Sequence, residues 1–253
     1  MLASSLHRAP TISPKFPRQR YRRANSLFGY SVALSGNGDT LAVGAFDEDG
    51  GKGAVHVFMR TGSAWAEQAR LQSSNAERAD SFGAWVAISD DGNTLAAGAL
   101  DEDSLLTNVN GGDQGATDQS TDTSAGAAYV FTRTGTTWSQ QAFIKASNTG
   151  KEDWFGVRLA LSGDGNTVAV SAPNEDGAND GAPEAGAVYV YSRSAGAWSH
   201  QVDLKGTNTD QFDELGSSLA LSSDGRTLAL GARFDEQAGS ADSAPGGVYV
   251  FIR

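Results

Sequence analysis

A short pattern that occurs four times along the chain limits it to a repeat architecture. The third copy, residues 155–173, reads FGVRLALSGDGNTVAVSAP, and related stretches start at Phe28, Phe82 and Leu215. Repeats of this length are typical of solenoids and propellers, in which each unit buries its apolar surface against its neighbours. The chain is therefore interpreted as one array of similar units.

Each repeat is predicted to form short β-strands. In the third copy these are Leu159–Ser162, Thr167–Ala172, Ala187–Tyr191 and Trp198–Lys205. Asp-Gly lies between the first two runs, and this pair is a strong hairpin signal because glycine adopts positive φ without steric cost. The fourth copy has three such runs, and its counterpart of Trp198–Lys205 is missing from the sequence.

The repeats divide the chain into 28–81, 82–154, 155–214 and 215–253, within a repeat region 26–253. Most of the length variation lies between the second and third strands, where a propeller blade tolerates insertions. We therefore predict an all-β fold, a β-propeller-type array of four-stranded antiparallel blades, with about 3.75 blades present and the ring incomplete. Because an open array leaves two blade faces bare, we expect a fragment of a longer protein or self-association that completes the propeller.

The repeated signature resembles the FG-GAP repeat of integrin α-subunit propellers, especially its shorter bacterial form. Phe-Gly opens the hairpin, Gly-Ala closes it, and Val-Tyr-Val-Phe forms the third strand; Leu215 and Ser171 are the departures. The resemblance covers about nine-tenths of the chain. It implies a non-catalytic binding or adhesion module that is extracellular or at the cell surface.

Integrin-type repeats often hold calcium between the first two strands, and the resemblance raises calcium as a cofactor. Here that loop is shortened to Ser-x-Asp-Gly-x-Thr, as in residues 162–167. Ca²⁺ takes six to eight oxygen ligands, which one or two carboxylates on a tight turn do not supply. The calcium site of the family is therefore not transferred to these turns.

Charge is distributed unevenly. Residues 1–25 hold six of the 19 basic residues and no acid, and their three prolines predict a disordered arm. The remaining 13 basic residues face all 30 acids, so the repeat region should repel nucleic acids and favour cations or basic partners. The sequence has no cysteine, no apolar run typical of a signal peptide and no transmembrane segment.

Acidic residues follow each Gly-Ala pair and open the loop between the second and third strands. A further set precedes each new repeat, as at Asp80 and Asp153. In a four-stranded antiparallel blade these two connections share one face of the disk. The candidate metal ligands on that face are Asp47, Glu48, Asp49, Asp101, Glu102, Asp103, Asn174, Glu175, Asp176, Asp235 and Glu236.

Three interpretations of this acidic face stay open at the level of sequence. The loops bind a metal, with calcium as the candidate; they bind a protein or glycan ligand or a basic partner; or they are solvated loops that aid solubility. Trp85 and Arg158 are candidate ligand contacts because they occupy a position of the first strand that varies between repeats.

No catalytic constellation is evident, so we expect that the protein is not an enzyme. His56 replaces the tyrosine of the other repeats, and His200 aligns with Gln140 and Glu67, so both are interpreted as strand residues. Two alternatives are a hydrolase with a propeller active site and a truncated gene product without an independent role.

Overall fold

The computed structural model describes residues 26–107, 109–110, 123–176, 182–207, 210–235 and 245–253. The predicted arm, residues 1–25, lies outside the described residues. Within them the chain forms four antiparallel sheets, three with four strands and the last with three. The predicted all-β, propeller-type array of incomplete blade number is confirmed.

The strands of each blade follow one another in chain order, and each pairs with the next. Blade 1 contains β1 Ser31–Leu34, β2 Thr40–Ala45, β3 Ala54–Thr61 and β4 Ala64–Leu71. Blade 2 contains β5 Phe82–Ile88, β6 Thr94–Ala99, β7 Ala127–Thr134 and β8 Thr137–Ile144. Blade 3 contains β9 Arg158–Leu161, β10 Thr167–Ala172, β11 Ala187–Ser194 and β12 Ala197–Leu204. Blade 4 contains β13 Leu215–Leu221, β14 Thr227–Ala232 and β15 Gly247–Ile252.

The Asp-Gly turns form the predicted hairpins. In blade 3, Asp164 accepts hydrogen bonds from the Ser162 hydroxyl at 2.6 Å and from the Asn166 backbone N–H at 2.9 Å. Gly165 has φ of +68°, which its lack of a side chain permits. One short helical turn, α1 Glu48–Gly51, is the only helix among the described residues, and the sequence did not predict it.

Adjacent blades meet through the Phe-Gly pair that opens each repeat. The backbone of Gly126 pairs with that of Phe155 in a parallel bridge, and Phe155 is fully buried. A Cβ placed on Gly126 would lie 2.1 Å from the Phe155 carbonyl oxygen, so only glycine allows this approach. Gly53 with Phe82, and Gly186 with Leu215, repeat the bridge at the other two blade junctions.

The two ends of the array are uncovered. Val32 of blade 1 is 63% exposed, whereas Val86 at the same position of blade 2 is 5% exposed. Val248 of blade 4 is 75% exposed, whereas Val55 and Val188 are fully buried at the matching position. The described blades therefore form an open array.

Candidate functional site: the acidic loop face

The described residues of the connections that follow β2, β6, β10 and β14, together with those of the segments between blades, form what we call the loop face. The structure brings the two acidic sets together there. The Asp101 backbone N–H donates to the Asp80 carbonyl at 3.3 Å, and the Ser81 hydroxyl donates to the Asp101 carboxylate at 2.7 Å. We call the opposite side, with the Asp-Gly turns, the turn face.

One glutamate in each of the first three acidic groups is buried in an ion pair. Lys145 Nζ lies 2.7 Å from Glu102 Oε2, and both side chains are almost completely buried. In blade 3 Lys205 pairs with Glu175 in the same way, although 30% of the lysine side chain is exposed. These two glutamates therefore act as internal counterions.

In blade 1 the corresponding glutamate has partners other than lysine. Glu48 is buried and contacts His56 Nε2 at 2.9 Å and Arg70 Nε at 2.7 Å. These contacts lower the pKa of Glu48 against the opposing effect of its burial. His56 Nδ1 lies 2.7 Å from Glu67, so both ring nitrogens of this strand residue have carboxylate neighbours. Arg70 also pairs with Asp49 at 2.5 Å.

In blades 2 and 3 an asparagine from the preceding blade completes the buried network. Asn75, after blade 1, donates to Glu102 at 3.1 Å and accepts from the Tyr129 hydroxyl at 2.8 Å. Asn148, after blade 2, makes the same contacts with Glu175 and Tyr189, both at 2.6 Å. The buried glutamates thus join neighbouring blades.

Two aspartates beneath the loops have strongly raised pKa values. Burial, with Glu102 nearby, raises the pKa of Asp80 to about 7. Burial, with Glu175 nearby, raises that of Asp153 to about 7. Each accepts a backbone N–H at 2.6 Å, from Glu77 and Gly150 respectively. Part of the acidity of the loop face is therefore neutralised near neutral pH.

The remaining acids of blades 1 and 2 line an open cavity. Asp47, Asp101 and Asp103 lie around a space of about 320 Å³ between these blades, with Ser81 and Ser124. Burial, together with Asp103, raises the pKa of Asp101. Asp103 is fixed by the backbone N–H groups of Thr123 and Ser124, which donate to it at 2.8 and 2.9 Å.

The acids of blades 3 and 4 are not gathered in the same way. Asp176 accepts the Glu184 backbone N–H at 3.0 Å and so closes its own loop. Asp235 is buried and accepts the Tyr249 hydroxyl at 2.5 Å. Asn174 lines a different cavity, and Glu236 lies outside the described residues.

The two candidate ligand contacts from the first strands lie against each other. The Arg158 guanidinium carbon is 4.4 Å from the Trp85 ring centroid, so the pair forms a cation–π contact between blades 2 and 3. Arg158 also lines the cavity with Asn174, which measures about 330 Å³ and includes Trp154 and Arg233. Trp154 and Arg233 were not among the predicted contacts.

A signal for Trp154 was present in the sequence. Its position is Ser81 in the preceding repeat junction and Glu214 in the following one, so it departs from the repeat just as Trp85 does. The side chain is 39% exposed, which places an aromatic surface at the cavity. Comparison of the repeats at the junctions, as well as within the strands, would have selected it.

Within the part of the chain that the structure describes, no group of three or more His, Cys, Asp or Glu side chains is arranged to hold a metal ion. Glu48, Glu102 and Glu175 are engaged in the ion pairs described above. Calcium requires six to eight oxygen ligands. The described residues do not present such a site, and the proposed calcium ligands stay a prediction.

Comparison with protein-family models identifies the same repeat that the sequence and the blades show. The FG-GAP repeat model matches residues 22–58 and residues 138–191. The chain contains FG-GAP repeats. The second match runs from the fourth strand of blade 2 to the third strand of blade 3, and so includes the junction built by Asn148 and Glu175. No curated protein matches this chain.

Solved structures similar to this chain include TolB from Acinetobacter baumannii, at 15% identity and a TM-score of 0.41 over 88% of the present chain. Another is Sqt1 from Saccharomyces cerevisiae, at 11% identity and a TM-score of 0.49 over 82%. The chain spans 43% of the length of each of these proteins. Among the described residues, no helix has the length and apolar character needed to cross a bilayer.

Proposed function

We propose that this propeller-type repeat domain is a non-catalytic binding module that acts in adhesion outside the cell or at its surface. Its ligand surface is the loop face between blades 1 and 2. The observation that carries the proposal is the open cavity of about 320 Å³ that Asp47, Asp101 and Asp103 line. Three carboxyl groups around an open space favour a cationic group of a ligand.

A basic segment of a protein partner is the ligand class that fits this cavity best. Lysine and arginine side chains bring both positive charge and hydrogen-bond donors to carboxylates. The non-catalytic part of the proposal is supported by His56, whose ring nitrogens both contact carboxylates inside blade 1. The extracellular setting is supported by the FG-GAP repeats.

The test is the binding of an oligo-lysine peptide to the full chain by titration calorimetry at two salt concentrations. The double variant Asp47→Asn with Asp101→Asn should weaken binding about tenfold or more. The matched control, Asp39→Asn with Asp224→Asn, makes the same charge change on the turn face and should leave the affinity within about twofold. If both double variants lost affinity equally, the binding would depend on net charge alone, and the proposal would be contradicted.

Calcium is a separate prediction for the same face. Calorimetric titration of calcium should show heat of binding and a raised melting temperature if the acidic loops gather around the ion. No heat and no thermal shift at millimolar calcium would reject it, and the outcome with the oligo-lysine peptide would be unaffected.

We also propose self-association through the two bare blade faces. Val32 and Leu34 at one end, and Val248 and Val250 at the other, are more than half exposed. The matching positions inside the array are packed between neighbouring blades. Val86 matches Val32, Val55 matches Val248, and both belong to the same buried cluster. Burial of these side chains against a second copy would recover apolar burial that the open array lacks.

A further inference from the structure

The two cavities of the loop face lie at corresponding blade junctions but differ in their chemistry. Asp47 and Asp101 line the cavity between blades 1 and 2, and the residues at the same repeat position in blades 3 and 4 are Asn174 and Phe234. The cavity of about 330 Å³ between blades 3 and 4 therefore lacks both carboxylates of that position. Two arginine side chains line it instead.

Arg158 lines this cavity without a carboxylate partner among the described residues. Its guanidinium lies against the Trp85 ring, 4.4 Å from the centroid, and donates through Nη1 to the Val157 carbonyl at 2.9 Å. Arg233 of the same cavity, in contrast, pairs with Glu214 at 2.7 Å. An arginine that two contacts hold in place, and that no acid neutralises in a repeat region with all 30 acids of the chain, is suited to an anionic group of a ligand.

Trp154 adds an exposed aromatic surface to the same cavity. Its φ is +57°, a left-handed backbone conformation that bulky residues rarely adopt. The equivalent residues Ser81 and Glu214 have φ of +60° and +50°, so the junction takes this conformation without a tryptophan. Because Trp154 is also 39% exposed, packing in the core does not account for it. Residues held in an unfavourable conformation are concentrated at ligand sites.

The other polar groups of the cavity are suited to hydroxyl groups. Asn174 brings an amide, Ser217 a hydroxyl and Glu184 a carboxylate. Donors and acceptors beside an aromatic face match a sugar ring, because each sugar hydroxyl both donates and accepts and the ring has an apolar face. An acidic side chain of a peptide supplies a carboxylate but no rigid face to cover the indole.

We propose that the cavity between blades 3 and 4 binds a uronic acid unit of an acidic polysaccharide. Arg158 donates to the carboxylate in a bidentate contact, and the Trp154 indole packs on the sugar ring. Glu184 and Asn174 bind its hydroxyl groups. A volume of about 330 Å³ is at the lower end of the range for small-molecule sites, which agrees with a short saccharide segment. This site lies at a different blade junction from the acidic cavity of the proposed function.

The probe is trigalacturonate, titrated into the full chain by calorimetry, with its fully methyl-esterified form as the matched neutral ligand. Trigalacturonate should bind saturably. The methyl ester should bind about tenfold more weakly or less, because it offers the same rings without the charge that Arg158 pairs with. Tri-glutamate, which has side-chain carboxylates but no sugar ring, should also bind about tenfold more weakly or less.

Two variants test the named residues. Arg158→Ser and Trp154→Ser each introduce the residue that another repeat carries at the same position, so the fold should accept both. Each should weaken trigalacturonate binding about tenfold or more while the melting curve stays cooperative. The control Arg60→Ser makes the same charge change on the turn face, where Arg60 pairs with Asp39, and should leave the affinity within about twofold.

Several outcomes would overturn the proposal. These are no saturable binding at millimolar trigalacturonate, equal binding of the methyl ester, or full affinity in the folded Arg158→Ser and Trp154→Ser variants. Tri-glutamate that binds as well as trigalacturonate would assign the cavity to an acidic peptide and would also overturn it. The comparison of the three ligands uses the unaltered chain, so it decides the matter even if a variant unfolds. Binding of the oligo-lysine peptide is measured separately, so failure of one proposal leaves the other in place.

Discussion

At the scale of single residues, the loop face combines two kinds of acid that look alike in the sequence. Glu102 and Glu175 are buried and paired with lysines, whereas Asp47 and Asp101 line an open cavity. The difference arises because a lysine that follows the fourth strand, such as Lys145, donates a hydrogen bond to the glutamate. The buried set stabilises the junctions, and the open set is available to a ligand.

The buried ion pair of blade 2 gives the first prediction. Lys145→Met should destabilise the protein by about 3–5 kcal/mol, because it leaves Glu102 charged and buried without its partner. Urea denaturation measures the free energy of unfolding. Lys205→Met is the matched control in blade 3, where 30% of the lysine side chain is exposed and the ion pair is less completely shielded from water, so its loss should be smaller. Equal losses would contradict this account.

The raised pKa values of Asp80 and Asp153 predict a pH dependence of stability. Each aspartate binds its proton more tightly when folded, with a pKa of about 7 compared with 3.8 as the ordinary value. Their burial therefore costs nothing below about pH 4, and the cost grows as pH rises to about 7. The folded protein should lose stability over this range through these two groups.

The double variant Asp80→Asn with Asp153→Asn isolates that effect. Asparagine keeps the acceptor for the backbone N–H of Glu77 or Gly150 but carries no charge. Its melting temperature should exceed that of the original chain by about 2 °C or more at pH 8 and should equal it at pH 4. Melting curves that differ by the same amount at both pH values would refute the assignment.

At the scale of elements, each blade junction depends on side chains from two repeats. Gln141 of β8 accepts hydrogen bonds from Trp198 and Arg193 of blade 3, both at 2.9 Å. Arg193 also reaches Thr94 of β6 at 3.1 Å. The fourth strand of one blade is thus hydrogen-bonded, through its glutamine side chain, to the third and fourth strands of the next.

The junction contact predicts a position-dependent cost for one substitution. Gln141→Leu should destabilise the protein by about 1–3 kcal/mol, because the indole and guanidinium lose their acceptor. Gln201→Leu makes the same change at the matching position of β12 in blade 3, where the amide donates to Ser199 and to the His200 carbonyl and no tryptophan contact is found among the described residues. It should alter stability by less than about 0.5 kcal/mol. Chemical denaturation of both variants provides the measurement, and similar costs at the two positions would disprove the comparison.

The sequence predicted the elements better than the site. Strand order and hairpins followed from apolar runs and Asp-Gly turns that recur in register, as around Gly165. The burial of Glu102 did not follow, because its partner Lys145 lies 43 positions further along the chain. The recurrence of lysine at Lys145 and Lys205 was a usable signal, but the ion pair requires knowledge of how strand four returns to the loop face.

At the scale of the whole molecule, the open array has an apolar surface at both ends. Leu34 is 56% exposed in blade 1 and Val250 is 59% exposed in blade 4. Self-association through these ends predicts that light scattering will show a dimer whose fraction grows with concentration. Val248→Asp should shift the population to monomer, because a charge would be buried in the interface.

The control for the dimer is a charge placed away from both ends. Ser199→Asp changes an exposed position of β12 and should leave the dimer fraction unchanged. Unfolding temperatures of the two variants show whether the chain itself remains folded. A strictly monomeric original chain at all concentrations would reject self-association.

The junction residues also define how such a chain can grow. Asn75 belongs by sequence to the first repeat but completes the buried network of the second, and Asn148 does the same one repeat later. A tandem copy of one whole repeat therefore carries the asparagine that the next blade needs and the glutamate and tyrosine that the preceding asparagine binds. The new blade would fit both of its neighbours. A gene encoding this array could lengthen by unequal recombination without first evolving a new interface.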